Sequence, residues 1–327
     1  MQYRTFGDTG FECSEVGLGT WQYGGDWGDI DEHRALEILA TAVDDGVNFL
    51  DTADVYGLGL SESIIGKFHR GRDEKLLIAT KLGRFPEPGW PDNFSFDAME
   101  AHTTASIKRL EVDVLDLTQL HCIPTAELRR GEVFEHLRRL KVQGKIKAFG
   151  VSVETVDEGL ICLEQDGLTS LQVIFNLFRQ KPARDLFNAA RAKGVAIIAR
   201  VPLASGLLAG KFTSETTFTD KDHRSYNRDG AAFNVGETFA GLPFSKGVEL
   251  AEGLRPVLSS EDAMANSALR WILDHDAVST VIPGASRPDQ VLTNDSASNL
   301  APLSAEQHRR IAEYYDREVA SHIRGPY

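Results

Sequence analysis

The sequence alternates short apolar runs with amphipathic helical patterns, and the alternation occurs eight times. The predicted strands cover residues 16–18, 47–51, 76–80, 115–119, 147–151, 172–176, 195–199 and 279–282. The predicted helices between them cover residues 33–45, 61–70, 97–110, 133–142, 155–165, 183–193 and 262–275. Several strands are almost wholly apolar, as expected of parallel strands covered on both faces. Because β/α crossovers are short and right-handed, this α/β pattern predicts a (β/α)8 TIM barrel with its active site at the carboxyl ends of the strands.

Three segments fall outside this repeat. The first 14 residues contain the turn sequence Gly7-Asp8-Thr9-Gly10 and predict an N-terminal β-hairpin before the barrel. A long loop from Phe212 to about Leu258 follows strand seven, and much of it is polar and aperiodic. Since such long connections are usually functional or disordered, we interpret it as a lid over the active site. A C-terminal helix, roughly Ser304 to His322, begins with a capping sequence and is expected to pack outside the barrel.

Composition limits the size, partners and compartment of the protein. A chain of 327 residues with 42% hydrophobic residues can bury a large core, and we expect one barrel domain over residues 1–327. The formal net charge of −13 argues against a nucleic-acid partner. The cysteines Cys13, Cys122 and Cys162 do not form a disulfide framework, and the N-terminus lacks the apolar core of a signal peptide. With no run near about 18 apolar residues, we expect a cytoplasmic protein without a membrane partner. The oligomeric state is not defined by the sequence.

Polar side chains follow three of the predicted strands at the point where each strand ends. Asp51 and Tyr56 follow the run Gly46 to Leu50, Lys81 follows Leu76 to Thr80, and His121 follows Leu115 to Leu120. If these strands are parallel neighbours, the four side chains meet in one small volume.

This combination is suited to protonating an alkoxide as it forms. A free tyrosine has a pKa of about 10, and an ammonium about 4 Å away favours the phenolate by up to roughly 4 kcal/mol. We therefore expect Lys81 to lower the pKa of Tyr56 toward the working range, with Asp51 holding the lysine in place. The imidazole of His121 could orient a carbonyl oxygen or pass on a proton.

Asp51, Tyr56, Lys81 and His121, in this order and at roughly these intervals, resemble the catalytic set of the aldo-keto reductases. Three longer stretches resemble further signatures of that family, namely Gly17 to Trp21, Leu140 to Ser152 and Val281 to Asn294. The resemblance implies hydride transfer between NADPH and a carbonyl compound, so that an aldehyde or ketone is reduced to an alcohol with tyrosine as the general acid. It also implies that the hairpin covers the closed end of the barrel.

The resemblance and the local sequence together predict a cofactor site. Gly284-Ala285-Ser286-Arg287 precedes a helix opened by Pro288, so that free backbone N–H groups, a hydroxyl and a guanidinium converge where an anion is favoured. The family resemblance places Ser286 and Arg287 on the adenosine 2′-phosphate, which favours NADP over NAD. It places the remaining residues on the adenine or its ribose (Gln290 and Asn294), on the nicotinamide carboxamide (Ser152 and Gln172) and beside the nicotinamide ribose (Gly19, Thr20, Trp21 and Asp51).

Two stretches depart from the family or extend its site. Val153 stands where many members carry asparagine, and Arg200 stands where many carry an aromatic residue against the nicotinamide ring. The Arg200 guanidinium could stack there, contact a phosphate, or form an ion pair with a loop carboxylate. The following run resembles the loop over the cofactor pyrophosphate, and we assign to this loop Pro202, Leu203, Ser205, Gly206 and Lys211.

Other functions fit the sequence less well. The glycine-rich segments at residues 57–62 and 206–212 fit neither a dinucleotide fingerprint nor a P-loop. Cys122 has no second cysteine or histidine at ligand spacing, so we predict no metal site and a buried Cys122. The main alternative is an NADPH-binding regulatory or sensor subunit with slow turnover, like the potassium-channel β subunits that this sequence also resembles. His121 argues against this alternative, because those subunits carry asparagine at that position. The carbonyl substrate is not identified, although an apolar cleft could be lined by Trp21, Trp27, Phe85 and Trp90.

Overall fold

The computed structural model describes residues 1–25, 30–258 and 263–327. In chain order, the strands β1 to β10 are Tyr3–Thr5, Glu12–Ser14, Leu18–Gly19, Phe49–Asp51, Leu77–Leu82, Leu115–His121, Ile146–Ser152, Leu168–Ile174, Ala196–Arg200 and Val278–Val281. The helices α1 to α13 are Glu32–Asp44, Leu60–His69, Phe96–Leu110, Thr125–Arg130, Glu132–Val142, Val156–Leu163, Lys181–Asp185, Phe187–Ala192, His223–Tyr226, Phe244–Leu254, Met264–Leu273, Pro288–Asp295 and Ala305–Tyr314.

The eight strands β3 to β10 form a parallel barrel, as the sequence predicts. Each strand pairs with the next one along the chain. The first and last strands close on each other, because the N–H of Gly17 donates to the carbonyl of Val281 at 2.8 Å and Gly19 forms a parallel bridge with Gly284. A Cβ atom at Gly19 would lie 3.0 Å from the carbonyl oxygen of Ile282, so glycine allows the two strands to approach at this seam.

The N-terminal hairpin covers the amino-terminal end of the barrel, opposite the predicted site. Its strands β1 and β2 pair antiparallel, with Arg4 opposite Cys13. Phe6 is buried in a cluster that includes Phe49, Ala79 and Leu117 from the barrel strands, and its ring centroid lies 5.5 Å from that of Phe49. The hairpin prediction is confirmed, and the apolar plug explains why this end of the barrel is closed.

Most predicted bounds differ from the structure by one or two residues, and two elements differ in a larger way. Strand β8 starts at Leu168 rather than at residue 172. Ser170 interrupts the apolar run in the sequence, but it fits in the sheet because its neighbour Gly150 has no side chain. A Cβ atom on Gly150 would lie only 2.1 Å from the Ser170 hydroxyl. The helix predicted over residues 183–193 is divided into α7 and α8 at Leu186, whose φ and ψ are −120° and −41°. Leu186 is fully buried there. The predicted start of another helix at residue 262 lies outside the described residues.

The long segment after β9 is partly ordered by helices. Helix α9 lies inside it, and α10 buries Phe244, Leu250 and Leu254 along one face. The polar stretch before α10 is held by an aromatic cluster in which the rings of Phe239 and Phe244 are 4.9 Å apart. The connection therefore reaches the carboxyl end of the barrel as a packed structure, consistent with the predicted long loop.

The C-terminal helix begins as the sequence predicts and changes form before it ends. Ser304 and Gln307 form a reciprocal capping box at the start of α13. After Tyr314 the helix continues as a π-helical turn, Tyr315–Val319, and a short 3-10 turn, Ala320–His322. Within the described ranges, no helix combines the length and apolar character needed to cross a membrane.

Candidate functional site

Lys81 is the centre of a buried polar cluster at the carboxyl ends of β4 and β5. Its ammonium lies 2.6 Å from Oδ2 of Asp51, 2.8 Å from the carbonyl oxygen of Thr52 and 3.3 Å from the hydroxyl of Tyr56. The side chains of Lys81 and Asp51 are 1% and 4% exposed, so this ion pair is screened from solvent. Burial is the largest single effect and acts to lower the pKa of Lys81, but Asp51 and Tyr56 together outweigh it, so the pKa lies above its ordinary value.

The second carboxylate oxygen of Asp51 is also held by hydrogen bonds. Its Oδ1 accepts hydrogen bonds from Nε2 of Gln172 at 2.7 Å and from Nε2 of Gln119 at 3.3 Å. The sequence placed Gln172 on a cofactor carboxamide and did not single out Gln119. In the structure both amides lie in the polar layer that orients Asp51, and through it Lys81.

The expected fall in the pKa of Tyr56 is wrong. Burial raises the pKa of Tyr56 to about 12, although the Lys81 ammonium acts in the opposite direction. The cost of removing water from around a phenolate at this position exceeds the attraction of that phenolate to a lysine that is already neutralised by Asp51. Tyr56 is therefore a neutral phenol at neutral pH, which is the form that donates a proton.

His121 lies beside this phenol as a neutral imidazole. The two ring centroids are 5.7 Å apart in an edge-to-face arrangement. Burial, together with the positive charges of Arg84, Lys81 and Arg200, lowers the pKa of His121 well below its ordinary value. A neutral imidazole can donate one hydrogen bond to an oxygen, so orientation of a carbonyl is favoured here over delivery of a proton.

These groups open into one large cavity. It has a volume of about 890 Å³, and Tyr56 and His121 are part of its wall. An aromatic side is formed by Trp21, Phe85 and Trp90, as the sequence predicts for an apolar cleft. Trp27 lies outside the described residues. The loop after β9 contributes Phe233, Asn234 and Glu237, so this connection covers one side of the cavity.

Arg200 takes the ion-pair alternative among the three considered. Its Nη1 lies 3.6 Å from Oε2 of Glu237 in the loop after β9, and its Nη2 donates to the carbonyl oxygen of Val153 at 3.3 Å. Nη2 also lies 3.4 Å from Sγ of Cys122, which is buried as predicted. The guanidinium thus links the end of β9 to the covering loop.

The donors of the predicted anion site, in the loop after β10, are paired with side chains at the start of α12. Gly284 lies at the barrel seam, and the Ser286 N–H and hydroxyl both donate to Oε1 of Gln290, at 2.8 and 3.0 Å. Arg287 is exposed and paired with Asp289, its Nε 3.0 Å from Oδ1. The neighbouring Asn294 is buried within α12. This guanidinium is therefore accessible, although a carboxylate of its own helix already competes for it.

The predicted pyrophosphate loop follows β9 as a tight 3-10 turn, Ala204–Ala209. Ser205 has a φ of 56° and its hydroxyl accepts from the N–H of Phe239 at 3.1 Å, which joins this turn to the covering loop. Pro202 is buried, Leu203 and Gly206 are half-buried, and Lys211 is exposed. Near the start of the barrel, the hydroxyl of Thr20 donates to the carbonyl oxygen of Asp51 at 2.9 Å. Ser152, at the end of β7, is buried and pairs in the sheet with His121 on one side and Gln172 on the other.

The match to known proteins decides the family. The model of the aldo/keto reductase family matches residues 15–316. The chain belongs to the aldo/keto reductase family.

Relatives of this aldo-keto reductase cover nearly its whole length. It is 31% identical to aldo-keto reductase YhdN of Bacillus subtilis (strain 168) in an alignment of 301 residues that covers 89% of this chain and 87% of the relative. It is 28% identical to the NADH-specific methylglyoxal reductase of Escherichia coli (strain K12), covering 97% of this chain and 100% of the relative.

Solved structures of aldo-keto reductases share the barrel. The holo form of aldo-keto reductase AKR11C1 from Bacillus halodurans superposes with a TM-score of 0.78 at 28% identity and covers 96% of both chains. The glycerol dehydrogenase AKR11B4 from Gluconobacter oxydans superposes with a TM-score of 0.79 at 27% identity, covering 99% of this chain and 98% of that one.

Aldo-keto reductases use nicotinamide cofactors, and the residues of this chain fit one. The donor set around Ser286 and Arg287 suits a phosphate group. At the barrel seam, a Cβ atom on Gly284 would collide with the side chain of Gln22, whose buried Oε1 has no hydrogen-bond partner in the described part of the chain. The side-chain amide of Gln22 therefore lies close to the backbone of Gly284, next to the predicted anion site.

Several residues of the cavity were missed by the sequence analysis. Arg84 and Glu154 follow two strand ends closely and could have been found by inspecting every charge beyond a predicted strand. Glu237 has no such signal, because it lies in the aperiodic loop. Cys122, Glu154 and Glu237 also form a group of three potential metal ligands among the described residues, but both carboxylates face arginines.

Proposed function

We propose that this protein is an NADPH-dependent reductase that converts an aldehyde or ketone to an alcohol, with Tyr56 as the general acid. The arrangement of Asp51, Lys81 and Tyr56 carries the proposal. Among these contacts, the 3.3 Å distance between the Lys81 ammonium and the Tyr56 hydroxyl is the decisive observation.

The bound nicotinamide supplies the hydride, and the side chains of this chain supply the rest of the chemistry. A carbonyl oxygen in the cavity would accept hydrogen bonds from the Tyr56 hydroxyl and the neutral His121 imidazole. As negative charge develops on that oxygen, the proton of Tyr56 moves to it. The positive charge of Lys81 then stabilises the phenolate that remains, while Asp51 holds the lysine.

The proposed preference for NADPH rests on Ser286 and Arg287. A hydroxyl and an accessible guanidinium at the start of α12 suit a 2′-phosphate. The pairing of Arg287 with Asp289 reduces the affinity that Arg287 would contribute for NADPH, because the 2′-phosphate must compete with a carboxylate. One relative, at 28% identity, is an NADH-specific enzyme, so the preference requires its own measurement.

A panel of aldehydes, ketones and sugars, assayed by absorbance with NADPH and with NADH, tests this function. Continuous turnover of one or more carbonyl compounds, faster with NADPH at equal concentrations, is the expected result. Tight NADPH binding with no multiple turnover on any compound would instead favour the regulatory or sensor subunit.

A further inference from the structure

The charged side of the carbonyl cavity is an internally neutralised network. Arg84 lies between two carboxylates, with its Nη2 3.1 Å from Oε1 of Glu154 and its Nη1 3.3 Å from Oε1 of Glu237. The other oxygen of Glu154 accepts from Nδ2 of Asn234 at 2.8 Å. Arg200 lies behind Glu237 at 3.6 Å. Two guanidinium groups and two carboxylates therefore alternate along this wall.

Arg84 is the only permanently cationic side chain among the cavity-lining residues of the described chain. It is therefore the permanent cation of this lining with which a substrate carboxylate or phosphate would pair. Its side chain is 19% exposed, and both terminal nitrogens already point at carboxylates. The lining also includes Glu158, whose carboxylate accepts from Thr125 and from the N–H of Glu154.

An anionic substrate would have to displace one of these carboxylates and lose its own hydration. A buried charge without a partner is strongly disfavoured, whereas an uncharged carbonyl compound meets the aromatic side of the cavity without that cost. The carboxylates of Glu154 and Glu237 add repulsion against an incoming anion. The network also joins the loops after β5, β7 and β9, so an anion that drew Arg84 away would disrupt contacts among all three loops.

We propose that Arg84, held by Glu154 and Glu237, makes this cavity selective for uncharged carbonyl substrates. This inference rests on the proposed carbonyl reduction. It goes beyond that function by stating which class of ligand the charged side of the cavity accepts. In this arrangement Arg84 determines specificity through its pairing, and the release of one carboxylate converts the same guanidinium into an anion-binding group.

The first test compares two aldehydes that differ only in charge. 4-Carboxybenzaldehyde is ionised at neutral pH, and 4-formylbenzamide has nearly the same size and no charge. Wild type should reduce the amide with the higher kcat/KM. In Glu154→Gln the Arg84 guanidinium loses one of its two carboxylate charges, and the carboxylate-to-amide ratio of kcat/KM should rise by about tenfold or more, as expected for a charge-assisted pair. Adding Arg84→Met to that variant should abolish the gain.

The second test measures binding without turnover. Benzoate and benzamide are titrated against the fluorescence of the cavity tryptophans Trp21 and Trp90. Benzoate should bind Glu154→Gln about tenfold more tightly than wild type, while benzamide should change little. Glu237→Gln provides a second release of Arg84 if the first variant folds poorly. Glu135→Gln removes an equal charge from an exposed pair with Arg138 and is the matched control, with no expected change in either ratio.

The two tests separate this inference from the proposed function. If wild type reduces no carbonyl compound of the panel with either cofactor, the reductase assignment fails, and the binding ratios still decide whether Arg84 is selective. If benzoate binds wild type as tightly as it binds Glu154→Gln, or if the aldehyde ratio is unchanged by that variant, the selectivity of the paired Arg84 is overturned.

Discussion

The ammonium of Lys81 lies 3.3 Å from the hydroxyl of Tyr56, yet the phenol remains neutral because burial raises its pKa to about 12. The lysine does not produce a standing phenolate in this structure. Its charge instead opposes the effect of burial, so that ionisation of the phenol during proton transfer costs less than it would in the same pocket without the lysine.

Replacement of Lys81 by methionine should therefore raise the pKa of Tyr56 further and slow carbonyl reduction by about 100-fold or more. Because the single variant leaves the buried Asp51 carboxylate without its cation, at a cost of about 3–5 kcal/mol, Lys81→Met should be made together with Asp51→Asn. The rate of the chemical step would be followed against pH. A profile identical to that of wild type would show that Lys81 does not act on the phenol.

The neutral state of His121 predicts a pH response of the fold. The pKa of His121 is lowered in the folded protein by burial and by nearby cations, whereas the unfolded chain binds a proton below about pH 6.5. The unfolded state therefore gains protons first, and the free energy of unfolding should fall as pH decreases below about 6.5. His121→Asn should reduce that dependence in urea unfolding between pH 7 and 5, and an undiminished slope would contradict a buried neutral imidazole.

Cofactor preference can be tested at Arg287 and its partner. If Arg287 binds the 2′-phosphate, Arg287→Ala should weaken NADPH by about tenfold or more and leave NADH almost unchanged. Asp289→Asn should strengthen NADPH, because the competing carboxylate is gone. Fluorescence titration with both cofactors measures these effects. Equal losses for NADPH and NADH in Arg287→Ala would mean that Arg287 supports the pyrophosphate or the fold.

Asp54 offers a test of stability near the site. It is fully buried, and burial together with Glu62 raises its pKa to about 8. Since the unfolded carboxyl ionises near pH 4, the folded state is progressively destabilised as pH rises from about 4 to about 8. Asp54→Asn removes this cost, so its stabilisation over wild type should grow across that range in urea unfolding. A pH-independent difference would argue against a protonated Asp54.

The fold was predictable because its signals are periodic. Eight apolar runs separated by helical patterns define the barrel, and the turn sequence near Gly7 and the cap at Ser304 mark the added hairpin and helix. The bounds failed where packing overrides local pattern, as at Ser170 against Gly150 and at the buried break at Leu186.

The candidate site was predictable in composition but not in electrostatics. Strand ends identify Asp51, Lys81 and His121, since parallel neighbours bring such residues together. The raised pKa of Tyr56 depends on how completely the folded chain excludes water, which spacing does not encode. The sequence does not predict the partner of Arg200 either, because Glu237 belongs to an aperiodic loop.

Replacement of Tyr56 by phenylalanine tests the central claim most directly, since the ring remains while the proton donor is removed. Single-turnover reduction would be measured with NADPH and the best carbonyl compound from the panel, alongside NADPH binding by fluorescence. The account predicts unchanged NADPH affinity and a rate reduced by about 100-fold or more. A Tyr56→Phe variant that retains more than roughly a tenth of the wild-type rate would show that another group donates the proton.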